Sequence, residues 1–288
     1  MKKCAFLSMD SLEDFVCYDH LLNEPLARRG WQVREISWRA EQVDWNQFEA
    51  VIIRSPWDYQ QDPNAFFKTL EDINRSSARL ENKLELVEWN IDKTYLRDLE
   101  QQGIEIVPSL WRAKFDRQEW ELFFEELGTD EIIIKPTISA GADDTYRLTR
   151  EDKADYAEKL TAIFADRPFI VQPFMPNILS EGEFSLFYFG DSYSHTILKT
   201  PKKDDFRVQE EHGGRLQLVE PEKKLLATGQ EILELIHPDP LYTRIDLVRT
   251  AQNTFALMEL ELIEPSLYFN MDPESPERFA RVFDEWMN

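Results

Sequence analysis

The sequence predicts an α/β protein in which a partly parallel sheet is followed by antiparallel strand pairs. Predicted strands and helices alternate over the first 75 residues, which is typical of parallel strands joined by helices. Later strands follow one another directly, which indicates antiparallel pairing. The chain has 288 residues, of which 42% are hydrophobic and 12% aromatic. A chain of this length buries roughly three quarters of its unfolded surface, so a sizeable core is expected.

The N-terminal part is predicted to be a small α/β domain. Gly30 is a stop signal for the first helix, and Pro63 is well placed to open the second. The polar stretch 76–92 is the predicted end of this domain. The predicted elements are strand 3–8, helix 18–29, strands 31–36 and 51–55, and helix 63–75.

The rest of the chain is predicted to contain strands in adjacent pairs and amphipathic helices. Gly190 and Asp191 favour a tight turn between strands 183–189 and 192–199, which should form a hairpin. Residues 200–216 are polar and basic and are predicted to be a loop. The other predicted elements are helices 93–102, 117–127, 151–164, 222–236 and 275–287, and strands 131–136, 145–148, 168–174, 242–249 and 254–262.

Charge and composition exclude several functions. There are 33 basic and 55 acidic residues, and the net charge of −22 repels nucleic-acid backbones, although a local basic cluster could still hold a small anion. No apolar run reaches the roughly 20 residues of a membrane helix, and Asp10 and Glu13 interrupt any signal-peptide core. We therefore expect a cytoplasmic protein without nucleic-acid or membrane partners. Two cysteines and four scattered histidines indicate neither a disulfide framework nor a zinc site.

Three carboxylates on the last predicted strand pair are candidates for a metal site. Glu259 and Glu261 are two residues apart and therefore share one face of a strand. If strands 242–249 and 254–262 pair, Asp246 can converge with them. Adjacent anions repel one another, and Mg²⁺ commonly binds to one or two such carboxylates together with phosphate oxygens. The same spacing also fits the solvent face of an edge strand, so the pattern alone leaves both interpretations open.

Two basic features are candidates for phosphate binding. Lys135 ends the apolar run 132–134 and precedes a loop of small residues, 138–145, where its ammonium could hold phosphate oxygens. The loop 200–215 contains Lys202, Lys203, Arg207 and Arg215 around two glycines. Each feature also fits a solvated surface, because lysine often extends its charge to water from an apolar strand.

The segment RSPWDY, residues 54–59, is a candidate substrate site. It follows a predicted strand, and ligands of open α/β sheets bind beyond the carboxyl ends of strands. We expect Arg54 to grip a carboxylate, Asp58 an ammonium group, and Ser55 and Tyr59 to shape the pocket. The alternative is that Arg54 pairs with Asp58 and only fixes the loop.

Taken together, five ordered segments resemble the ATP-grasp superfamily. They are NIDKTYL (90–96), EIIIKP (131–136), VQPFM (171–175), DFRVQEEHGG (205–214) and the pair RIDLV and MELEL. The similarity is greatest to bacterial glutathione synthetase, D-alanine–D-alanine ligase and the O-ureidoserine cyclo-ligase of cycloserine biosynthesis. It implies an ATP-grasp fold with three parts: an N-terminal α/β domain (1–90), a small lid subdomain (91–175) and a C-terminal metal-binding subdomain (176–288).

The resemblance also implies roles for individual residues. ATP would be bound by Lys93 and Lys135 at its phosphates, by Gln172, Phe174 and Met175 at its adenine, and by Glu183 at its ribose. Arg207 and Arg244 would act on the phosphoryl groups during catalysis. Mg²⁺, with Mn²⁺ as a substitute, would be held by Asp246, Glu259 and Glu261. Glu261 stands where an asparagine is common in the superfamily.

The implied activity is that of an ATP- and Mg²⁺-dependent carboxylate–amine ligase. Such an enzyme forms a C–N bond through an acylphosphate and releases ADP and phosphate. We expect a small amino-acid-like substrate, and related ligases are often homodimers. Two alternatives share the fold: a small-molecule kinase whose product is a phosphate ester, and a nucleotide-binding protein without catalysis.

Overall fold

The computed structural model describes residues 1–13, 15–203 and 205–288, which form three β-sheets. The first sheet has four parallel strands in the order β2-β1-β3-β4. Their buried central residues explain the apolar runs seen in the sequence. The strands are β1 (Lys2–Ser8), β2 (Trp31–Ser37), β3 (Ala50–Ser55) and β4 (Arg79–Glu81).

Three helices connect these strands and extend the domain. Helix α1 (Asn23–Arg28) follows a short 3₁₀ turn, so the predicted helix 18–29 is only partly α-helical. Helix α2 (Pro63–Asn74) begins where the Asp62 side chain accepts a hydrogen bond from the Ala65 amide. The polar stretch 76–92 is not a loop, because it contains β4 and helix α3 (Leu84–Asn90). Isolated apolar residues such as Leu80 and Leu86 are fully buried there.

The second sheet is antiparallel, with the order β5-β8-β6-β7. An aromatic core that includes Trp120, Phe123 and Phe169 joins it to two helices. The short first strand of this sheet was not predicted from sequence. The elements are β5 (Leu110–Arg112), α5 (Trp120–Leu127), β6 (Glu131–Pro136), β7 (Tyr146–Thr149), α6 (Lys153–Ile163) and β8 (Phe169–Pro173).

The third sheet is also antiparallel, with the order β11-β10-β9-β12-β13. It contains the predicted hairpin and the predicted final strand pair, both of which are confirmed. Strand β11 was not expected, since its residues were assigned to a loop. The elements are α7 (Asn177–Ser180), β9 (Glu183–Phe189), β10 (Ser192–Thr200), β11 (Arg215–Leu218), α8 (Lys223–Glu234), β12 (Tyr242–Arg249) and β13 (Phe255–Glu261).

Two helices pack across the predicted domain boundaries. Helix α4 (Tyr95–Gln101) packs in the same core as Leu225 and Leu257, which belong to the part of the chain that contains the third sheet. Helix α9 (Ser275–Met287) packs Phe279 and Phe283 in one core with residues of β1 and β2. Each of these helices contacts residues beyond a predicted boundary, so the boundaries at residues 90 and 175 stay predictions from sequence. Within the described ranges, no helix has the length and apolar character that crossing a bilayer requires.

Buried His195 on β10 predicts a loss of stability in acid. Its ring stacks on Phe187 at 4.3 Å, and burial lowers its pKa from 6.5 to about 4. The unfolded chain therefore takes up a proton at this position below pH 6.5, and the folded chain does so only near pH 4. We expect unfolding to become easier by about 3 kcal/mol as the pH falls from 6.5 to 4.

Urea unfolding at several pH values would measure this effect. A His195→Gln variant should lose this part of the pH dependence, whereas the exposed His237→Gln control should retain it. Equal slopes in the wild type and the His195→Gln variant would contradict the assignment.

Candidate active site

The second and third sheets, with segments that follow strands of the first sheet, border one cavity of about 370 Å³, which is within the usual size of small-ligand sites. All but three of the predicted site residues line it. Those that do are Lys93, Lys135, Gln172, Phe174, Met175, Glu183, Arg207, Arg244, Asp246, Glu259, Glu261 and Tyr59. Segments more than 150 residues apart in sequence therefore meet at one place, as the predicted roles require.

Strand pairing explains why the acidic residues meet. In the antiparallel pair β12–β13, Asp246 lies opposite Glu259, and Arg244 lies opposite Glu261. Alternation along each strand then places all four side chains on one face. A register shift follows directly after Asp246. The face that points into the cavity is thus charged, whereas Ile245 and Leu260 point into the core.

Basic side chains hold the carboxylates in place. The Arg244 guanidinium donates to Asp246 from Nε at 3.1 Å and from Nη2 at 2.8 Å, and Nη2 also donates to Glu261. The Lys93 ammonium lies 3.1 Å from a Glu259 oxygen and donates to the Ser139 carbonyl at 3.0 Å. This arrangement offsets the mutual repulsion of the three acids.

The three acids differ in how readily they ionise. Burial opposes ionisation of Glu259 and Asp246, but nearby cations outweigh it: Lys93 and Lys135 lower the pKa of Glu259, and Arg244 and Lys199 lower that of Asp246 to about 2. Burial raises the pKa of Glu261 to about 8; Arg244 opposes this shift, and the three nearby acids Glu259, Asp246 and Glu264 add to it. Glu259 and Asp246, whose pKa values are lowered, are therefore anionic at neutral pH.

These residues suit a metal ion that also binds phosphate oxygens. Across residues 1–13, 15–203 and 205–288, no group of three or more acidic, histidine or cysteine side chains is arranged to hold a metal by itself. The predicted trio is therefore not a ready-made protein cage. Mg²⁺ commonly takes only one or two carboxylates and completes its shell with phosphates and water. The oxygen donors of Asp246 and Glu259 match that chemistry.

Lys135 is the cation that lacks a protein partner. Strand β6 carries it to the cavity, and among the described residues its ammonium makes neither a hydrogen bond nor an ion pair. Burial lowers its pKa, and the nearby ammonium of Lys93 adds to that effect. An unpaired cation beside Glu259 is suited to hold an anionic group of a ligand.

Buried Lys199 was not predicted as a site residue. It contacts the carboxylate of Glu183 and lies 3.4 Å from an oxygen of Asp246. Gly182 allows β10 to pass close to the start of β9, because a Cβ at that position would lie 2.6 Å from the backbone carbonyl oxygen of Lys199. The available sequence signal was the same as for Lys135: a lysine that ends an apolar strand. Glu183, which was predicted to bind ribose, is thus already neutralised by a protein cation.

The opposite end of the cavity is an apolar slot. Phe174, Val107 and Ile178 form one cluster, with Met175 and Met258 packed against it. The Phe174 amide donates to the Glu131 carbonyl, and the buried Gln172 amide group donates to the Ser109 hydroxyl at 2.9 Å. Such a slot, with backbone groups at its edge, is suited to a flat aromatic ring.

Arg207 lies on the loop that borders the cavity between β10 and β11. Its guanidinium pairs with Asp205 on the same loop at 2.9 Å. The loop closes tightly at Gly214, where a Cβ would lie 2.0 Å from the Val208 carbonyl. Arg207 lines the cavity as predicted, and its guanidinium forms an ion pair with Asp205 of the same loop.

The predicted substrate roles of Arg54, Ser55 and Asp58 are contradicted. Arg54 is 1% exposed and does not line the cavity, since its guanidinium donates to buried Asp19 at 2.9 Å and to the Pro265 carbonyl at 3.1 Å. Ser55 is buried at the end of β3. The alternative, a pair between Arg54 and Asp58, is also wrong.

Asp58 has partners of its own. Its carboxylate accepts hydrogen bonds from Trp38 at 2.6 Å and Arg39 at 3.0 Å. Of the four predicted substrate residues, only Tyr59 reaches the cavity. There it lies near Glu264, together with Trp57 and Phe15. Glu264, which lies directly before a proline in the turn after β13, was not predicted.

The fold is that of the ATP-grasp ligases. Residues 4–82 match the family model of the N-terminal domain of D-cycloserine synthetase DcsG. The cycloserine biosynthesis protein DcsG of Streptomyces lavendulae is 28% identical over 264 residues, which are 86% of this chain and 86% of that protein. The predicted resemblance is thereby confirmed.

Solved structures of other proteins are similar to this one. The crystal structure of D-cycloserine synthetase DcsG matches with a TM-score of 0.88 and 27% identity, covering 99% of this chain and 100% of that one. The ATP-grasp ligase PsnB, in complex with a minimal precursor, Mg and ADP, matches with a TM-score of 0.67 and 16% identity over 99% and 98% of the two chains. The latter similarity is one of fold.

Proposed function

We propose that this protein is an ATP- and Mg²⁺-dependent ligase that activates a carboxylate as an acylphosphate and joins it to an amine. One observation carries the proposal: the unpaired Lys135, the carboxylates Asp246 and Glu259, and the apolar slot at Phe174 share a single cavity. These are a phosphate-binding cation, ligands for a hard metal ion and a place for a flat base. The ADP and Mg in the related PsnB complex support the same assignment.

The protein's own side chains account for most of the chemistry. The apolar slot would hold the adenine, and Lys93, Lys135 and Arg207 would offset the phosphate charge. Asp246 and Glu259, with Glu261 beside them, would hold Mg²⁺, which when bound neutralises charge on the phosphate oxygens. Arg244 lies beside them, and its Nη1 makes no hydrogen bond to the described residues, so it is free to stabilise the transferring group.

The proposed reaction has two steps. A substrate carboxylate oxygen attacks the γ-phosphorus of ATP, and ADP leaves. An amine then attacks the acyl carbon of the acylphosphate, loses a proton and expels inorganic phosphate. Neither step needs a covalent protein nucleophile, so positioning and charge stabilisation would provide the rate enhancement.

The test is a phosphate-release screen with Mg-ATP and small amino acids and carboxylates, supplied singly and in pairs. ADP and phosphate should form in equal amounts with the correct acid. Added hydroxylamine should trap the acylphosphate as a hydroxamate. A phosphate ester in place of the hydroxamate would identify a kinase, and nucleotide binding without turnover across the screen would indicate a protein without catalysis.

Replacing Lys135 with alanine should weaken ATP binding by at least about tenfold, since a lost hydrogen bond to a charged group typically costs 1.5–3 kcal/mol. Calorimetry with Mg and a non-hydrolysable ATP analogue would measure the Kd. The matched control is Lys114→Ala, an exposed lysine before α5. Equal nucleotide affinities in the wild type and the Lys135→Ala variant would argue against a phosphate role.

A further inference from the structure

A hydrogen bond joins the loop that carries Arg207 to the N-terminal part of the chain. We call residues 205–214 the Arg207 loop. The Tyr18 hydroxyl, on the segment that leads to helix α1, donates to the two carboxylate oxygens of Glu210 in this loop, at 3.1 and 3.2 Å. A hydrogen bond to a carboxylate is stronger than one between neutral groups. Tyr18 and Glu210 thus connect two segments that are 192 residues apart in sequence.

The Tyr18 end of this hydrogen bond is rigid. The Tyr18 ring packs against the core that contains residues of β1, β2 and helix α9. Its carbonyl accepts a hydrogen bond from the Leu21 amide at 3.0 Å and so begins the short 3₁₀ turn before α1. The next residue, Asp19, is held by buried Arg54 at 2.9 Å. The hydroxyl is therefore a fixed point to which the Arg207 loop is attached.

Apolar contacts attach the same loop to the opposite end of the cavity. Val208 is 3% exposed and packs in the cluster that contains Phe174, and the Phe206 ring meets Phe174 edge-on at 6.4 Å. Arg207 lies between these two residues and three positions before Glu210, which is at most about 10 Å of chain. The loop therefore has one attachment at the apolar slot and one at Tyr18.

These attachments decide where the Arg207 guanidinium lies. Its ion-pair partner, Asp205, belongs to the same loop, so this pair does not fix the loop to the rest of the molecule. The turn that contains Glu210 is closed within the loop as well, because the Gly213 amide donates to the Glu210 carbonyl at 2.8 Å. Without the Tyr18 hydrogen bond, the apolar slot alone would hold Arg207 at the cavity.

We propose that Tyr18 is a positioning residue: through its hydrogen bond to Glu210, it holds the Arg207 loop against the cavity and places the Arg207 guanidinium at the phosphates of bound ATP. This inference rests on the proposed ligase function. Tyr18 does not line the cavity, so it acts through the loop and not by contact with a ligand. Small displacements of a group that stabilises a transferring phosphate slow the reaction strongly, so a distant hydroxyl can affect the rate.

Replacing Tyr18 with phenylalanine keeps the ring and removes the hydroxyl, and should lower kcat for ADP formation about tenfold. The Kd of a non-hydrolysable ATP analogue should change by less than about threefold, because the apolar slot and Lys135 remain. Glu210→Ala should lower kcat equally, whereas Glu210→Gln keeps an acceptor oxygen and should retain part of the rate. The matched control is Tyr193→Phe, which removes a hydroxyl that shares a 2.9 Å hydrogen bond with Thr196 outside the cavity.

Two further measurements separate positioning from a general loss of structure. In an Arg207→Ala background, Tyr18→Phe should cause no further fall in kcat, because both changes act on the same guanidinium. Trypsin digestion of protein saturated with Mg and the ATP analogue would follow cleavage after Arg207 by mass spectrometry. That cleavage should be about tenfold faster in Tyr18→Phe than in the wild type and unchanged in Tyr193→Phe. The digestion needs no turnover.

Several results would overturn the proposal. They are a kcat in Tyr18→Phe within about twofold of wild type, a full-sized effect of Tyr18→Phe in the Arg207→Ala background, and equal cleavage rates in the wild type and Tyr18→Phe. Faster cleavage in Tyr18→Phe, combined with a wild-type protein that turns over no pair of substrates, would instead count against the ligase function, while the hydrogen bond would still be shown to hold the loop.

Discussion

Replacing Glu259 with glutamine is expected to abolish ADP formation, lowering kcat by more than about a hundredfold. Glutamine preserves shape but removes the charge that lies opposite Asp246 in the strand pair. The lowered pKa of Glu259 means that the carboxylate is anionic at neutral pH, as a Mg²⁺ ligand must be. Folding should be nearly unaffected, because the side chain is 32% exposed and its one ion pair, to Lys93, is at the cavity.

The matched control for this variant is Glu181→Gln. That carboxylate likewise forms an ion pair with a basic residue, in this case Arg249 of β12, and is also 32% exposed, but it does not line the cavity. Steady-state ADP formation at saturating Mg²⁺ and ATP, with thermal unfolding in parallel, would compare the two. Wild-type turnover in the Glu259→Gln variant would show that this carboxylate is not a ligand of the proposed metal site.

Local patterns predicted the charged strand pair well. Side chains alternate between the two faces of a strand, so Glu259 and Glu261 share one face of β13 whatever its neighbours are. Only the pairing of β13 with β12 had to be assumed. The chain supports that assumption by placing only five residues between the two strands. Lys135 was found for a similar reason, since it ends an apolar strand, whereas Phe174 was implied only by the resemblance of the segment 171–175. The short elements β4 and β5 carry too few residues for such a pattern.

Long-range partners could not be predicted in this way. Arg54 follows three apolar residues just as Lys135 does, yet one cation is buried in an ion pair and the other faces a cavity. The difference depends on Asp19, which lies in an irregular segment 35 residues away. Glu264 was missed for a related reason: a single acid in a turn belongs to no periodic pattern, and only the fold brings it into the cavity.

Replacing Arg54 with methionine is expected to lower the free energy of unfolding by about 3–5 kcal/mol. The guanidinium is 1% exposed and its partner Asp19 is also buried, so the variant leaves a carboxylate without compensation. In the folded protein, Asp19 Oδ2 and Arg54 Nη1 already lack hydrogen-bond partners among the described residues, which makes the pair costly to bury and costlier to break. Asp19→Asn should be destabilising for the same reason.

Removing both charges separates the ion pair from the other contacts of Arg54. The double variant Arg54→Met/Asp19→Leu should recover at least part of the lost stability, because replacing a buried pair by apolar residues is often neutral. Well below the unfolding temperature, the KM for substrate should change by less than about threefold in Arg54→Met. The hydrogen bond from Arg54 to the turn that follows β13 is lost, while the hydrogen bonds from Tyr242 and Trp57 to that turn remain. A large rise in that KM with normal stability would instead indicate that Arg54 contacts the substrate directly.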